Sequence, residues 1–240
     1  MIGIIGAMQM EVEGLLHSME DPQPRQVGKN MYYSGRIDGV PCVVACSGEG
    51  KVNAAICAQS MLLLYRPDLI INSGVAGGIG KEVHIGDVVF ADAVVEHDMD
   101  ITPLGYPMGY VCGVDAVEME ADRMATSLLM EKAVKVYPGA VRRGLIASGD
   151  QFISGGEKME KILHDFPRVQ ACEMEGAAIG HTAVLGQVPF VVLRAISDNA
   201  NDDAKVDFPQ FAKMAAQRSV QLLKNALPDL QQLLGKEKKA

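Results

Sequence analysis

Short, almost wholly apolar runs alternate with longer helical segments along nearly the whole chain, and this alternation limits the possible folds more than any other feature. Residues 2–7, 68–72, 88–95, 144–147, 169–172 and 189–196 have strand length and little polar alternation. A strand that is apolar on both faces must be covered on both faces, so the pattern calls for a mostly parallel sheet between helices. Helices are read over 9–19, 51–65, 118–136, 157–164 and 175–185, and further extended segments over 31–37 and 42–46. A last helix is read with Asp207 as N-cap and Pro209 in its first turn. Phe211, Met214, Ala215, Leu222 and Ala226 would share one face of it. Residues 97–115 carry Gly, Pro and Tyr without a period, and a loop of that length in a compact domain usually serves function. No repeat, linker or shift in composition divides the 240 residues. One domain over 1–235 is expected, with a short basic tail over 236–240 that holds Lys236, Lys238 and Lys239.

Charge and cysteine usage narrow the function. The net charge is −8, whereas nucleic-acid binding needs clustered Lys and Arg, so no nucleic-acid partner is expected. No apolar run approaches the roughly 20 residues that span a bilayer. Met1 leads straight into a strand-like run without the basic region of a signal peptide, so no membrane association and a cytoplasmic address are expected. Of the five cysteines, Cys42, Cys46, Cys57 and Cys172 fall in apolar stretches and read as small core residues, and Cys112 does not. No CxxC pair is present. The run His97-Asp98-Met99-Asp100 lacks a second His/Cys cluster, so no metal is expected. Gly3 and Gly6 do not complete G-x-G-x-x-G, and Gly50-Lys51 is followed by Val52, so neither a nicotinamide enzyme nor an NTPase is indicated. Ser148 and Ser197 lack the G-x-S-x-G elbow of a serine nucleophile.

Four apolar runs end alike, in Ser47-Gly48-Glu49-Gly50, Ser73-Gly74-Val75-Ala76-Gly77-Gly78, Ser148-Gly149-Asp150 and Ser197-Asp198. Ligands of open α/β sheets bind outside the carboxyl ends of the strands, and small residues there let a flat ligand approach the backbone. One such turn would be mere punctuation; four point to a site. Carboxylates gather at the same places. Glu11 lies in the first turns after the first strand, Glu173 and Glu175 bracket Met174 where a strand yields to a helix, and Asp198 follows the most apolar strand. Each alone reads equally well as a helix cap or a solvated first-turn acid. Together they suggest acids with raised pKa at a buried site.

Seven segments stand in order: IGIIGAM from Ile2 with Glu11, SGEGKVNAA from Ser47, INSGVAGG from Ile71, HDMD from His97, SGDQFI from Ser148, EMEG from Glu173 and RAISDNA from Arg194. Over residues 2 to about 225 they resemble the 5′-methylthioadenosine/S-adenosylhomocysteine nucleosidases of the purine nucleoside phosphorylase superfamily. The resemblance implies a single α/β domain with a mixed central sheet and a distorted barrel-like core flanked by helices. It implies hydrolysis of the N-glycosidic bond of 5′-methylthioadenosine, S-adenosylhomocysteine and 5′-deoxyadenosine, releasing adenine in methionine salvage. Glu11 stands where the family has the acid that activates water, and Asp198 where its acid faces adenine, with Ser197 to orient it. Glu175 matches the acid on the ribose hydroxyls, beside Glu173, and Met174 the side chain on the sugar. Phe152 matches the ring that stacks on adenine and Ile153 a neighbour whose backbone meets the base edge. Met8, Val75, Ala76, Gly77 and Phe208 complete the implied site. The family forms homodimers in which the 97–115 loop, here with Leu104 and Tyr106, closes the neighbour's 5′ pocket. Glu49 stands where many relatives have an aliphatic residue, and Leu104 where an aromatic is frequent.

The chemistry fits those residue types. Cleaving an N-glycosidic bond builds positive charge on ribose and negative charge on the base. An acid must neutralise the leaving base and a base must deprotonate water, with no cofactor. A nucleoside phosphorylase would instead need a basic anion site, and the early turns offer Gln9, Glu11 and Glu49 with only Lys51. Aminodeoxyfutalosine hydrolases share the same machinery. A non-catalytic nucleoside-binding protein would not need Glu11, Glu175 and Asp198 together.

Overall fold

A computed structural model describes residues 1–137, 139–200 and 204–237, with the backbone alone at 204–210 and 237. The order is β1 (Ile2–Gly6), α1 (Gln9–His17), β2 (Glu20–Val27), β3 (Asn30–Ile37), β4 (Val40–Cys46), α2 (Lys51–Tyr65), β5 (Leu69–Gly78) and β6 (Val88–Glu96). A 3₁₀ turn at Thr102–Leu104 interrupts the following loop. Then come β7 (Met119–Glu120), α3 (Arg123–Ala133), β8 (Val141–Ser148), α4 (Gly156–Asp165), β9 (Val169–Glu173), α5 (Gly176–Leu185), β10 (Phe190–Asp198) and α6 (Ala204–Glu237).

All ten strands join one sheet in the order β10-β6-β8-β9-β5-β1-β4-β3-β2, with β7 on β6. A second pairing of β10 with β5 closes β5, β10, β6, β8 and β9 into a barrel. The mixed, barrel-like sheet is thus present, and the mostly parallel reading is corrected. β1–β4, β1–β5, β5–β10, β6–β8 and β8–β9 are parallel, but β5–β9 and β6–β10 are antiparallel. β2–β3, β3–β4 and β6–β7 are antiparallel as well. One core face packs beneath α1, α3 and α6 through Leu15, Leu129, Leu222 and Leu227. The other packs beneath α2 and α5 through Met61, Ile179 and Val192. Each fully buried aliphatic side chain contributes about 1.5–3 kcal/mol. Cys42, Cys57 and Cys172 are buried as expected, Cys46 half-buried and Cys112 exposed.

Several sequence readings change. β2 was not expected, since EDPQPRQV is polar and holds two prolines; it survives as an edge strand paired only with β3, where missing N–H donors cost little. α3 is shorter than 118–136, because the Asp122 side chain caps it by accepting the Ala125 amide at 2.8 Å. α6 is already helical at Ala204, so Asp207 is not its N-cap. Met214 is exposed; the buried face of α6 runs through Ala212, Ala215, Ala216, Leu222, Leu223 and Leu227. Lys236 lies in the last turn of α6, and Lys238 and Lys239 lie outside the described residues. Among the described residues no helix is long and apolar enough to cross a membrane.

Candidate active site

Two of the four small-residue turns are not turns. β5 continues through Ser73-Gly74-Val75-Ala76-Gly77-Gly78 and β10 through Ser197-Asp198. The glycines of β5 are there because other groups press on its backbone. A Cβ on Gly74 would stand 2.7 Å from Oε1 of Glu11, and one on Gly77 would stand 2.9 Å from Oδ1 of Asp198 and 2.7 Å from Cβ of Ala200. Gly77 is also where three strands meet, pairing with Cys172 of β9 and Asp198 of β10. The β10 register slips between Ile196 and Asp198 at that point, and such a bulge re-aims the side chain beside it.

The strand ends enclose a cavity of about 260 Å³ lined by Ala7, Met8, Glu11, Glu49, Val75, Ala76, Gly77, Gln151, Phe152, Ile153, Cys172, Glu173, Met174, Glu175 and Asp198. Among the site residues expected from sequence, Glu11, Asp198, Met8, Val75, Ala76, Gly77, Phe152, Ile153, Glu173, Met174 and Glu175 therefore converge. Ser197 stands behind Asp198 and donates to its Oδ2 at 3.0 Å. The Phe208 side chain lies outside the described residues. Leu104 and Tyr106 do not line this cavity; they are 74% and 43% exposed on the loop after β6, where Tyr106 stacks on Tyr110. Ala7, Gln151 and Cys172 were not singled out from the sequence, although each adjoins a residue that was.

Glu11 is buried in the first turn of α1 rather than solvated. Its Oε2 accepts the amides of Ala7 at 2.7 Å and Met8 at 2.9 Å, and its Oε1 accepts the Val75 amide at 3.0 Å. Burial raises its pKa, and the Arg194 charge and these amides only partly offset that. Glu175, the residue before α5, accepts the Gly50 amide at 2.9 Å. Burial first, then the neighbouring Glu173 charge, push it up to about 8. Asp198 accepts Ser197 Oγ and, at 2.8 Å, the Ala200 amide.

Glu173 contrasts with these acids. Burial favours its neutral form, but the charge of Arg194, the Ser148 hydroxyl and the Gly176 amide outweigh it and hold the pKa low. Arg194 is fully buried on β10, bonds Glu173 through both Nε and Nη2, and reaches Asn72. Ser148 and the amides of Glu175 and Gly176 take the remaining acceptor capacity of Glu173. Glu173 thus touches the cavity with oxygens already engaged by the protein.

The HDMD run is used structurally. Asp98 accepts Lys51 Nζ at 2.6 Å and the Asp150 amide at 2.9 Å, Glu96 takes Lys51 at 2.9 Å, and Asp100 bonds Thr102. Asp150 in turn accepts the Lys51 amide at 2.7 Å. The segment before Phe152 is thereby tied to the start of α2 and to the loop after β6.

Residues 1–228 match the model of the phosphorylase superfamily. The 5′-methylthioadenosine/S-adenosylhomocysteine nucleosidase of Actinobacillus succinogenes is 40% identical over 230 residues, covering 96% of this chain and 99% of the relative. The chain belongs to this nucleosidase family. The solved Neisseria meningitidis nucleosidase, in complex with methylthio-immucillin-A, is 37% identical with a TM-score of 0.90, covering 94% of this chain and 97% of that one. A futalosine hydrolase mutant of Helicobacter pylori is 33% identical with a TM-score of 0.88 over 95% of this chain and 98% of that one. The family's fold and its N-glycosyl hydrolase activity therefore coincide with a cavity walled by carboxylates.

Proposed function

We propose that the chain hydrolyses the N-glycosidic bond of 5′-methylthioadenosine and S-adenosylhomocysteine, and of 5′-deoxyadenosine, releasing adenine and the free 5-thio-ribose, or 5-deoxyribose from the last. The observation that carries this reading is the placement of two buried acids along one strand. Glu11 rests against Gly74 and Asp198 against Gly77, and three residues of strand span about 10 Å. Both acids line the same cavity, so a nucleoside held between them has room for a water at ribose C1′ on one side and a proton donor at the imidazole edge of adenine on the other. Glu11 takes a proton from the water, and Asp198, oriented by Ser197, gives one to the departing base. Both act on charge that develops only in the transition state. Glu175 accepts the ribose hydroxyls, Met174 packs on the sugar, and Phe152 stacks on the base with the Ile153 backbone at its edge. The described residues lining the cavity include five carboxylates and no Lys or Arg, which favours water over phosphate as the acceptor.

Two further readings belong to this proposal. The chain acts in the cytoplasm as one domain over 1–235. It works as a homodimer in which Leu104 and Tyr106 close the partner's 5′ pocket. Exposed Val52, Ile56, Leu63 and Leu185 on α2 and α5 supply an apolar face for that second copy. Sedimentation as a dimer at micromolar concentration supports the shared site, and a fully active monomer refutes it. The hydrolase from Helicobacter pylori keeps 6-amino-6-deoxyfutalosine as the second candidate substrate. Adenine release from all four nucleosides decides the matter: cleavage of methylthioadenosine and adenosylhomocysteine is expected, and cleavage of aminodeoxyfutalosine alone would replace the reading.

A further inference from the structure

Glu49 differs from every other acid in the cavity wall. Glu11, Glu173, Glu175 and Asp198 are each buried and each accept hydrogen bonds from the protein. Glu49 is exposed, and among the described residues its carboxylate has no hydrogen-bond or ion-pair partner; only its carbonyl is engaged, by Asn53 at 2.7 Å. The backbone that carries it is nonetheless fixed. Gly48 and Gly50 flank it at φ +81° and +93°, a region that suits glycine. The Gly48 amide donates to Ala7 at 3.1 Å and the Gly50 amide to Glu175 at 2.9 Å. Glu49 is therefore held between the β1–α1 turn and Glu175.

The protein supplies this carboxylate with no counter-ion. Lys51 is committed to Glu96 and Asp98, and Arg194 to Glu173 and Asn72. An unpaired anion at the mouth of a cavity floored by further carboxylates attracts cations. With the base at Asp198 and the sugar at Met174 and Glu175, the group that leaves the sugar toward Met8 and Glu49 is the 5′ substituent. We propose that Glu49 selects nucleosides whose 5′ substituent carries a protonated amine, a group that S-adenosylhomocysteine bears beside its carboxylate and a methylthio group lacks. This rests on the nucleosidase reading of the cavity.

The test compares 5′-(3-aminopropylthio)-5′-deoxyadenosine with its uncharged isostere, the 5′-butylthio nucleoside, in the wild type and in Glu49→Gln. Both kcat/KM and calorimetric Kd are measured, the latter on Glu11→Gln enzymes so that nothing turns over. The wild type should prefer the amine about fivefold, the upper end for an exposed ion pair. The preference should sit in KM rather than kcat, because the amine is far from the bond that breaks. It should vanish in Glu49→Gln and shrink in 0.5 M salt, where screening acts within about 4 Å. An equal preference in wild type and Glu49→Gln, or none in the wild type, overturns the proposal. Failure to cleave any adenine nucleoside would instead remove the nucleosidase reading, and the calorimetric ratio would still decide the role of Glu49.

Discussion

Glu173 and Glu175 stand two residues apart at the β9–α5 junction, one in the floor of the cavity and one in its wall, and the sheet gives them opposite chemistry. The floor layer is closed: Arg194, Asn72, Ser148 and two amides surround Glu173 and keep it ionised. The wall is open: Glu175 has one amide and a distant Arg194 Nη2 at 4.0 Å, and it holds its proton up to about 8. Glu11 belongs with the wall, its pKa raised by burial. A charge paired beneath the site contributes rigidity, whereas an acid whose burial outweighs its hydrogen bonds faces the ligand with a raised pKa and is available for proton transfer.

The contrast predicts separate losses. In the wall, Glu11→Gln and Asp198→Asn should each lower kcat by at least about 100-fold with the melting temperature little changed; near wild-type turnover in either would remove that residue from the mechanism. In the floor, Arg194→Met leaves Glu173 buried without its counter-ion, and should cost about 3–5 kcal/mol in denaturant unfolding. Adding Glu173→Gln should recover much of that, and a double variant as unstable as the single one would show that the pair is not the cause. The smallest effect is in pH. The Glu175 pKa lies above its ordinary 4.5 in the folded protein, so the folded state binds the proton more tightly than the unfolded chain. Its stabilisation is present in full below about 4.5 and is lost as pH rises through about 8. The unliganded protein should therefore become less stable between pH 5 and pH 8, and Glu175→Gln should flatten that slope. An unchanged slope in the variant would place the proton elsewhere.

Much of the site was legible in the sequence because its groups sit at strand ends, where runs such as Phe190–Asp198 announce themselves by being apolar throughout. The length of β5 was not, because glycines that break strands elsewhere are retained here to admit Glu11 and Asp198. Nor was the burial of Glu11, since a first-turn acid looks the same whether its helix end faces solvent or Val75. Arg194 opens the RAISDNA run, yet its role depends on Glu173 and Asn72, remote in sequence and joined only by the pairing of β10 with β5 and the closure of the barrel. β2 was hidden by its prolines and charge, features an edge strand tolerates and a central one does not.

If Glu11 acts as proposed, it delivers water, not phosphate, to ribose C1′. The direct measurement is to run the wild-type reaction on methylthioadenosine in ¹⁸O-labelled water with saturating phosphate and to analyse the sugar by mass spectrometry at early times. The expected product is a free reducing sugar carrying one ¹⁸O at C1, formed at a rate independent of phosphate and abolished in Glu11→Gln. A 5-methylthioribose 1-phosphate product, or a rate that rises with phosphate, would contradict it.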